Sequence, residues 1–315
     1  MRGKEKPLVS IVVPSWNGWW LLEDRLPGLL AAARETGRGE VVVVDDASED
    51  GTQSKLERFS PALRVVRLEK QSGFPVAAHR GVEAAKGEYI FLVNNDVVVP
   101  PGVLGSLLEG LEDPGVFAVV PRIVRSDTGV DESKTKIFFR RGIVATTLAA
   151  DEQEPDFACG AAVCFRRSVY GSLRGFDPLF APFYWEDVDL SYRARKRGFL
   201  IKRVGGVAVS HQHSKTIGTL RDRSFVQRVY ERNRLFFMWK NITDASLWRK
   251  HLAWLTLKLA WDAIAYRDFL HGFVAALKRF TEVAARRRQE RRECSVSDAQ
   301  LLVRGGEATF GRREP

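Results

Sequence analysis

The stretch LVNNDVVVPPG, residues 92–102, places three polar residues between two apolar runs. The run over 89–93 stops at Asn94, Asn95 and Asp96, and a second apolar run follows at once. A continuous apolar run of this kind is typical of a strand buried on both faces of a parallel sheet. The polar triplet therefore predicts the carboxyl end of a central strand.

Three other apolar runs repeat this pattern. They are LVSIVV (8–13), EVVVV (40–44) and the weaker RVVRL (64–68). Helices are predicted over 19–34, 52–59 and 75–85, and a helix after Pro101 precedes an apolar strand over 116–120. The alternation predicts an α/β fold, with a mostly parallel sheet flanked by helices.

The chain beyond this alternation is less regular. Residues 126–153 predict loops or short strands, 157–166 a strand, and 200–204 and 207–210 two short strands. WEDVDLSYRARKRG, residues 185–198, predicts a helix, because an acidic first turn and a basic last turn suit the helix dipole.

Charge is concentrated near the C-terminus. The 315-residue chain has a formal net charge of +10, and residues 221–293 contain 17 Lys/Arg against 8 Asp/Glu, or +9. This segment is predicted to be a basic amphipathic helical extension after a catalytic domain over 1–220, with a flexible tail over 294–315. It either packs on the domain with its arginines solvated, or lies on an anionic membrane. It has no recognisable motif for reading nucleic acid, so no nucleic-acid partner is expected.

The cysteines and the apolar segments predict the compartment. The three cysteines have no CxxC spacing, which favours a reducing, cytoplasmic location. The N-terminal apolar run is too short for a signal sequence, and no run reaches the ~18 apolar residues of a spanning helix. Any membrane contact is therefore expected to be peripheral, on the inner face of the cell membrane.

Polar residues follow each of the three strong strands. They are Pro14, Ser15 and Asn17 after the first, Asp45, Asp46 and Ser48 after the second, and Asn94, Asn95 and Asp96 after the third. Each alone is an ordinary turn former, but ligands of parallel sheets bind at the carboxyl ends of strands. Together they predict a polar pocket, in which Asp96 is placed to bind a hard cation such as Mg²⁺.

Glycine-rich nucleotide fingerprints are absent from the sequence. There is no GxGxxG after a strand and no GxxxxGK[ST], which disfavours a dinucleotide dehydrogenase and a P-loop enzyme. If a nucleotide binds, carboxylates and a metal must replace the glycine-rich phosphate cradle.

Two further clusters could contribute to the chemistry. Glu186, Asp187 and Asp189 begin the helix after Trp185, and they either complement the helix dipole or include a base whose pKa the apolar setting raises. His211 follows a predicted strand end, and could be structural or a metal ligand together with Asp96.

Five ordered motifs resemble family 2 glycosyltransferases of the GT-A fold, in particular the rhamnosyltransferase-like branch. They are VSIVVPSWNG, VVVVDDASEDGT, GFPVAAHRGVEAAKGEYIFLVNNDVVVPPG, CGAAVCFRRSVYGSLRGFDPLFAPFYWEDVDLSYRARKRG and VAVSHQHS, in family order over about two thirds of the chain. The resemblance implies a sheet with a Rossmann-like nucleotide-binding half. It also implies a nucleotide-sugar donor, UDP- or dTDP-linked, and a Mg²⁺ or Mn²⁺ cofactor.

The resemblance also implies roles for particular residues. Those expected at the donor are Pro14, Ser15, Asn17, Asp45, Ser48, His79, Asn94 and Asn95. Asp96 and His211 would bind the metal, Asp187 would be the general base with Glu186 as second choice, and Gly160, Trp185 and Asp189 are acceptor-side candidates. Asn94 replaces the first carboxylate of the DxD-type motif, and His79 stands where relatives usually have Asn.

These residues predict an inverting, metal-assisted glycosyltransferase. It would move a sugar from a nucleoside diphosphate to a hydroxyl of a glycan or lipid-linked acceptor in cell-surface polysaccharide synthesis. The alternatives are a sugar-nucleotide nucleotidyltransferase, whose basic glycine-rich N-terminal loop is not seen in VPSWNGWW, and an inactive nucleotide-sugar-binding relative.

Overall fold

A computed structural model describes residues 9–212, 222–265 and 267–302. Its ten strands are β1 (Val9–Ser15), β2 (Gly39–Asp45), β3 (Arg64–Arg67), β4 (Tyr89–Val93), β5 (Val97–Val98), β6 (Val116–Arg125), β7 (Thr135–Arg140), β8 (Ile143–Leu148), β9 (Ala162–Arg166) and β10 (Leu200–His211). The helices of the sheet region are α1 (Trp19–Glu35), α2 (Thr52–Leu56), α3 (Phe74–Ala84), α4 (Val103–Gly110), α5 (Arg167–Ser172) and α6 (Glu186–Lys196). Those that follow are α7 (Arg223–Asn241), α8 (Ala245–Ala265), α9 (Arg267–Leu277), α10 (Phe280–Glu293) and α11 (Asp298–Leu302).

Eight strands form one sheet in the order β3-β2-β1-β4-β9-β6-β10-β5. β1 pairs in parallel with β2 and β4, and β2 with β3, so the predicted parallel sheet is confirmed for these four strands. β9 is antiparallel to both of its neighbours, and β5 is antiparallel to β10. The sheet is therefore mixed but mostly parallel, and β7 and β8 form a separate hairpin.

Apolar side chains fill both faces of the sheet. One cluster lies between the sheet, α1 and α4, and contains Ile11, Leu22 and Phe91. The other lies under α3, α5 and α6, and contains Val12 and Phe165. Burial on both faces explains why the strand sequences are continuously apolar rather than alternating.

A third cluster joins α6 to the C-terminal helices. Leu235, Phe236 and Phe237 of α7 are fully buried, and they pack with Trp185 and Tyr192. The packing interpretation of the basic segment thus holds for α7. No helix within the described residues is long and apolar enough to cross a bilayer.

Two strand predictions after residue 156 differ from the structure. The predicted strand over 157–166 is a loop up to Ala161, since only β9 pairs in the sheet. The two short strands predicted over 200–210 are one strand, β10, whose pairing with β6 has an irregularity between Val204 and Ala208.

The predicted flexible tail is wrong for residues 294–302. Asp298 of α11 is fully buried and accepts hydrogen bonds from Tyr192 Oη at 2.8 Å and Lys196 Nζ at 2.7 Å. The rest of that tail, and the predicted domain boundary at 220/221, lie outside the described residues.

Candidate active site

The carboxyl ends of β1, β2 and β4 meet at one edge of the sheet, as predicted. Ser15 lies opposite Asp45 in the parallel register, and Ser15 Oγ accepts a hydrogen bond from Asn95 Nδ2 at 2.9 Å. Asp45, Ser15 and Asn95 are all buried. An added Cβ at Gly18 would overlap the Asn95 amide, so this glycine lets the β1–α1 loop approach the end of β4.

Hydrogen bonds of Asn17 and Ser48 join the loop after β1 to the loop after β2. The Asn17 backbone N–H donates to Ser48 Oγ at 2.8 Å, and Asn17 Oδ1 accepts from the Glu49 backbone at 2.8 Å. Asn17 has φ +48, a left-handed conformation that Asn tolerates better than most residues. The pair fixes the two loops beside buried Pro14. The place of these three residues at a nucleotide donor remains a prediction.

Asp46 holds the loop between β3 and α3, a role not predicted from the sequence. Its carboxylate accepts backbone N–H groups of Ser72 at 2.7 Å and Gly73 at 2.8 Å. Burial raises the pKa of Asp46, and these two hydrogen bonds oppose the rise. The second Asp of the Asp45–Asp46 pair therefore positions a loop.

Asp96 and His211 lie together, as the sequence predicts. His211 Nε2 is 3.3 Å from Asp96 Oδ1, and His211 Nδ1 is 2.6 Å from Glu132 Oε2. The register explains the contact, because β5 begins right after Asp96 and pairs His211 with Val97. Glu132 was not predicted: it lies 79 residues from His211 in a stretch with no clear pattern.

The charge around His211 suits cation binding. Burial alone would lower the pKa of His211, but the Asp96 and Glu132 carboxylates raise it to about 9. Asp96 Oδ1 is buried and makes no hydrogen bond, despite its approach to the ring. Within the described chain no three His, Cys, Asp or Glu side chains are grouped to hold a metal by themselves. Asp96 and His211 thus fit a cation that takes its other ligands from a bound diphosphate.

Asp187 lies at the first turn of α6 and is held by backbone donors. Its Oδ2 accepts from Gly160 N at 3.0 Å, and its Oδ1 from Val188 N at 2.7 Å. The next residue of the glycine loop, Ala161, accepts from Asn94 N at 2.9 Å, so this loop connects the base to the polar triplet. Burial raises the pKa of Asp187 against the effect of these hydrogen bonds, which favours a base function.

Glu186 and Trp185 have buried polar atoms without partners. Trp185 packs on Tyr230 and Phe237 of α7, at ring-centroid distances of 5.6 and 5.2 Å. Burial, with the neighbouring Asp187 charge, raises the pKa of Glu186 well above its ordinary value. The first two carboxylates of α6 thus both bind a proton more readily than exposed carboxylates do.

Asp189 is not at the acceptor side. It is fully buried, and its oxygens bind Arg193 Nε at 2.8 Å, Lys240 Nζ at 2.9 Å and Asn241 Nδ2 at 2.8 Å. Although Asp189 shares a first turn with Glu186, it anchors α6 to α7 and has no surface left for a ligand.

His79 lies on α3 with other partners. Its Nδ1 is 3.0 Å from Tyr170 Oη, and its Nε2 is 3.5 Å from Glu83. The Tyr170 contact joins α3 to α5, the Glu83 contact lies within α3, and neither involves the strand-end residues. Its expected place at the diphosphate remains a prediction.

Buried polar atoms without a partner occur both at the strand ends and at the start of α6. Five buried side-chain polar atoms of the described residues lack a hydrogen-bond partner. Four of them are Asp45 Oδ2, Asp96 Oδ1, Trp185 Nε1 and Glu186 Oε2, and the fifth is Arg25 Nε on α1. Because such atoms cost about 1–3 kcal/mol each, the two places retain polar groups that packing alone does not favour.

Two relatives show where the chain resembles known proteins. It is 36% identical over 94 residues to the putative teichuronic acid biosynthesis glycosyltransferase TuaG of Bacillus subtilis, across 29% of this chain and 36% of that one. It is 25% identical over 246 residues to the N-acetylglucosaminyl-diphospho-decaprenol L-rhamnosyltransferase of Mycobacterium tuberculosis, across 68% and 78%. The chain thus spans about a third of TuaG.

Solved structures share the fold. The mannosyltransferase PcManGT of Pyrobaculum calidifontis, in complex with GDP-Man and Mn²⁺, aligns with a TM-score of 0.56 and 20% identity over 92% of this chain and 86% of that one. S. aureus TarS 1-349 with UDP-GlcNAc aligns with a TM-score of 0.56 and 15% identity over 90% and 92%. The family model for glycosyl transferase family 2 matches residues 10–174, more than half of the chain. The chain therefore belongs to glycosyl transferase family 2.

Proposed function

We propose that this protein is an inverting glycosyltransferase that moves a sugar from a nucleoside diphosphate to an acceptor hydroxyl. The observation that carries the proposal is the group of four buried orphan atoms on Asp45, Asp96, Trp185 and Glu186. Two belong to the strand ends and two to the start of α6. A ligand that satisfies both pairs must extend from the sheet edge to the helix, as a nucleotide sugar with its acceptor would.

The donor is proposed to bind along the strand ends. Asp45 Oδ2 is the free acceptor for a ribose or base donor group, and Ser15 and Asn95 form the floor. The neutral side chain of Asn94, partly exposed, would bond the ribose or diphosphate without adding negative charge. UDP- or dTDP-linked sugars are the proposed donors.

Asp96 and His211 are proposed to hold Mg²⁺ or Mn²⁺ with the donor diphosphate. A bound cation would supply positive charge for the departing diphosphate. The Asp96 and Glu132 carboxylates lie on either nitrogen of the His211 ring and favour its protonated form. His211 would have to release that proton to become a ligand.

Asp187 is proposed as the general base. The Gly160 and Val188 backbone groups fix its carboxylate, and its raised pKa brings its proton affinity closer to working pH. It would take the proton of the acceptor hydroxyl as that oxygen attacks the anomeric carbon. One direct displacement inverts that centre.

The acceptor is proposed to be a glycan or lipid-linked saccharide of a cell-surface polysaccharide. The names of the two relatives, a teichuronic acid enzyme and a diphospho-decaprenol enzyme, support this class. We also propose a cytoplasmic protein in peripheral contact with the membrane. Support comes from α8, on which Leu252 and Leu257 are 46% and 74% exposed beside the basic Arg249 and Lys250.

A donor screen with product analysis tests the proposal. UDP-, dTDP- and GDP-sugars are incubated with a saccharide acceptor, the protein and Mn²⁺, with EDTA as the matched control, and NMR reads the anomeric configuration of the products. The proposal predicts a glycoside of inverted configuration and a nucleoside diphosphate. Formation of a nucleoside triphosphate and a sugar phosphate when pyrophosphate replaces the acceptor would indicate a nucleotidyltransferase, and binding without turnover an inactive relative.

A further inference from the structure

A second cavity lies away from the strand ends, between the β7–β8 hairpin and helices α7, α8 and α9. Its volume is about 350 Å³. Its charged lining consists of Arg140, Arg141, Glu231, Arg234 and Lys258. Four cationic side chains against one carboxylate make the cavity complementary to an anion.

Two of these arginines differ in how they are held. Arg234 Nε donates to the Val144 carbonyl at 2.9 Å, and its Nη1 lies 3.4 Å from Glu231, so its guanidinium is oriented. Arg141, at the tip of the hairpin, is exposed and makes no hydrogen bond or ion pair with any residue the structure describes. The cavity thus has one arginine that is oriented by protein contacts, Arg234, and one that is not, Arg141.

The hairpin is locked against α8. Buried His251 accepts a hydrogen bond from Trp239 Nε1 at 3.0 Å, and its Nδ1 is 2.8 Å from the Gly142 carbonyl oxygen. Nε2 is therefore the acceptor and Nδ1 carries the proton. Gly142 has φ +86, and an added Cβ would overlap Trp254, so the turn beside Arg141 fits only glycine. The cavity wall is preorganised.

The rest of the lining is apolar and continues onto an exposed surface. Phe138, Trp254 and Phe269 form aromatic walls. Trp254 and Lys258 belong to the same helix as the exposed Leu252 and Leu257. A ligand with an anionic head and an apolar chain matches this combination better than a free anion does.

We infer that this cavity binds the phosphate or diphosphate headgroup of a lipid. The inference deepens the proposed lipid-linked acceptor and rests on it for the ligand's role. α7 connects the two sites, since Glu231 and Arg234 line the cavity while Tyr230 and Phe237 pack on Trp185. A headgroup held here would place the membrane beside α8.

Vesicle binding by the full chain tests the inference. The vesicles are phosphatidylcholine alone, with phosphatidylglycerol, or with phosphatidic acid, the last two matched in surface charge. The test variant is Arg141→Glu/Lys258→Glu, and the matched control is Arg34→Glu/Arg58→Glu, two exposed arginines of the nucleotide-binding half. The affinity of each protein for a nucleotide sugar and for inorganic pyrophosphate is measured by calorimetry.

The expected result is preference for phosphatidic acid, reduced at least about tenfold in the test variant and within about twofold of wild type in the control. Equal binding to both anionic vesicles, equal losses in both variants, or no binding would overturn the inference. So would pyrophosphate binding in the cavity without vesicle binding, which indicates a free-anion site. Nucleotide-sugar affinity should be unchanged in both variants. If the wild-type protein does not bind a nucleotide sugar, the proposed function is rejected, whereas the vesicle result still stands.

Discussion

At the scale of single residues, Asp96 shows how much one carboxylate depends on its neighbours. Asn94 and Asn95 are neutral, so Asp96 is the only negative side chain of the triplet. His211 lies against it because β5 pairs with β10. The sequence offered this neighbour as one of two alternatives for His211, without the strand pairing that produces it. Glu132 on the far side of the ring could not be expected, since no periodic pattern places its loop.

Glu132 is predicted to tune cation binding through His211. Glu132→Gln should weaken Mn²⁺ affinity in the presence of a nucleoside diphosphate by about tenfold or more, because the ring loses the partner that orients it. Glu83→Gln, which removes a partner of His79 instead, is the control. Mn²⁺ titration followed by electron paramagnetic resonance makes the measurement. Unchanged affinity in Glu132→Gln would separate Glu132 from the cation site.

Glu186 is predicted to make stability depend on pH. Its pKa is raised above 4.5 in the folded protein, so the folded state keeps a proton that the unfolded state releases. Stability from this group therefore falls as pH rises from 4.5 through the raised pKa. Glu186→Gln should be more stable than wild type at about pH 8, with a gap that closes towards about pH 4.5. Urea unfolding of the ligand-free proteins checks this, and a gap independent of pH would refute it.

At the scale of elements, the start of α6 is held by α7. Tyr184 and Trp185 have φ +71 and +74, a strained conformation for residues with side chains. The Asn233 Nδ2 group donates to the Phe180, Phe183 and Tyr184 carbonyls at 2.7 to 2.9 Å. The helix over 186–196 was predictable from its charge pattern. The positive φ of the two residues before it, and the hydrogen bonds from Asn233, were not.

Asn233 is predicted to position the base without touching a ligand. Asn233→Ala should destabilise the protein by at least about 1–3 kcal/mol, because buried carbonyls lose their donor. It should lower kcat by up to about 10²-fold through misplacement of Asp187, while KM for the donor changes little. Gln227→Ala, an exposed change on the same helix, is the control. A KM defect with normal kcat would contradict the positioning role.

At the scale of the whole molecule, the chain after α6 is part of one packed body. Asp298 accepts hydrogen bonds from Lys196 of α6 and from the Thr243 and Asp244 backbone, at 2.6 to 2.8 Å. It thus links α11, α6 and the α7–α8 turn. Composition and charge predicted a separable extension and tail, because the sequence does not reveal which distant residue pairs with a buried lysine.

Asp298 is predicted to stabilise the entire fold. Asp298→Ala leaves the Lys196 ammonium buried without its carboxylate, which should cost about 3–5 kcal/mol. Thermal or urea unfolding should show one transition moved to lower stability. Asp127→Ala, which removes an exposed ion pair with Arg125, should change it little. If only part of the unfolding signal of Asp298→Ala moves to lower stability, the C-terminal helices unfold as a separate unit.

The parallel strands and the polar residues at their ends were predictable because buried parallel strands have continuous apolar runs. The central claim goes further: these ends and the start of α6 form one active site, with donor binding at the strands and the base at Asp187. Asp187→Asn tests it most directly, with transfer and nucleotide-sugar affinity measured on the same preparation. The account predicts a loss of transfer of about 10²–10⁴-fold, with donor affinity within about twofold of wild type. Retained transfer, or equal loss of transfer and donor binding, would contradict it.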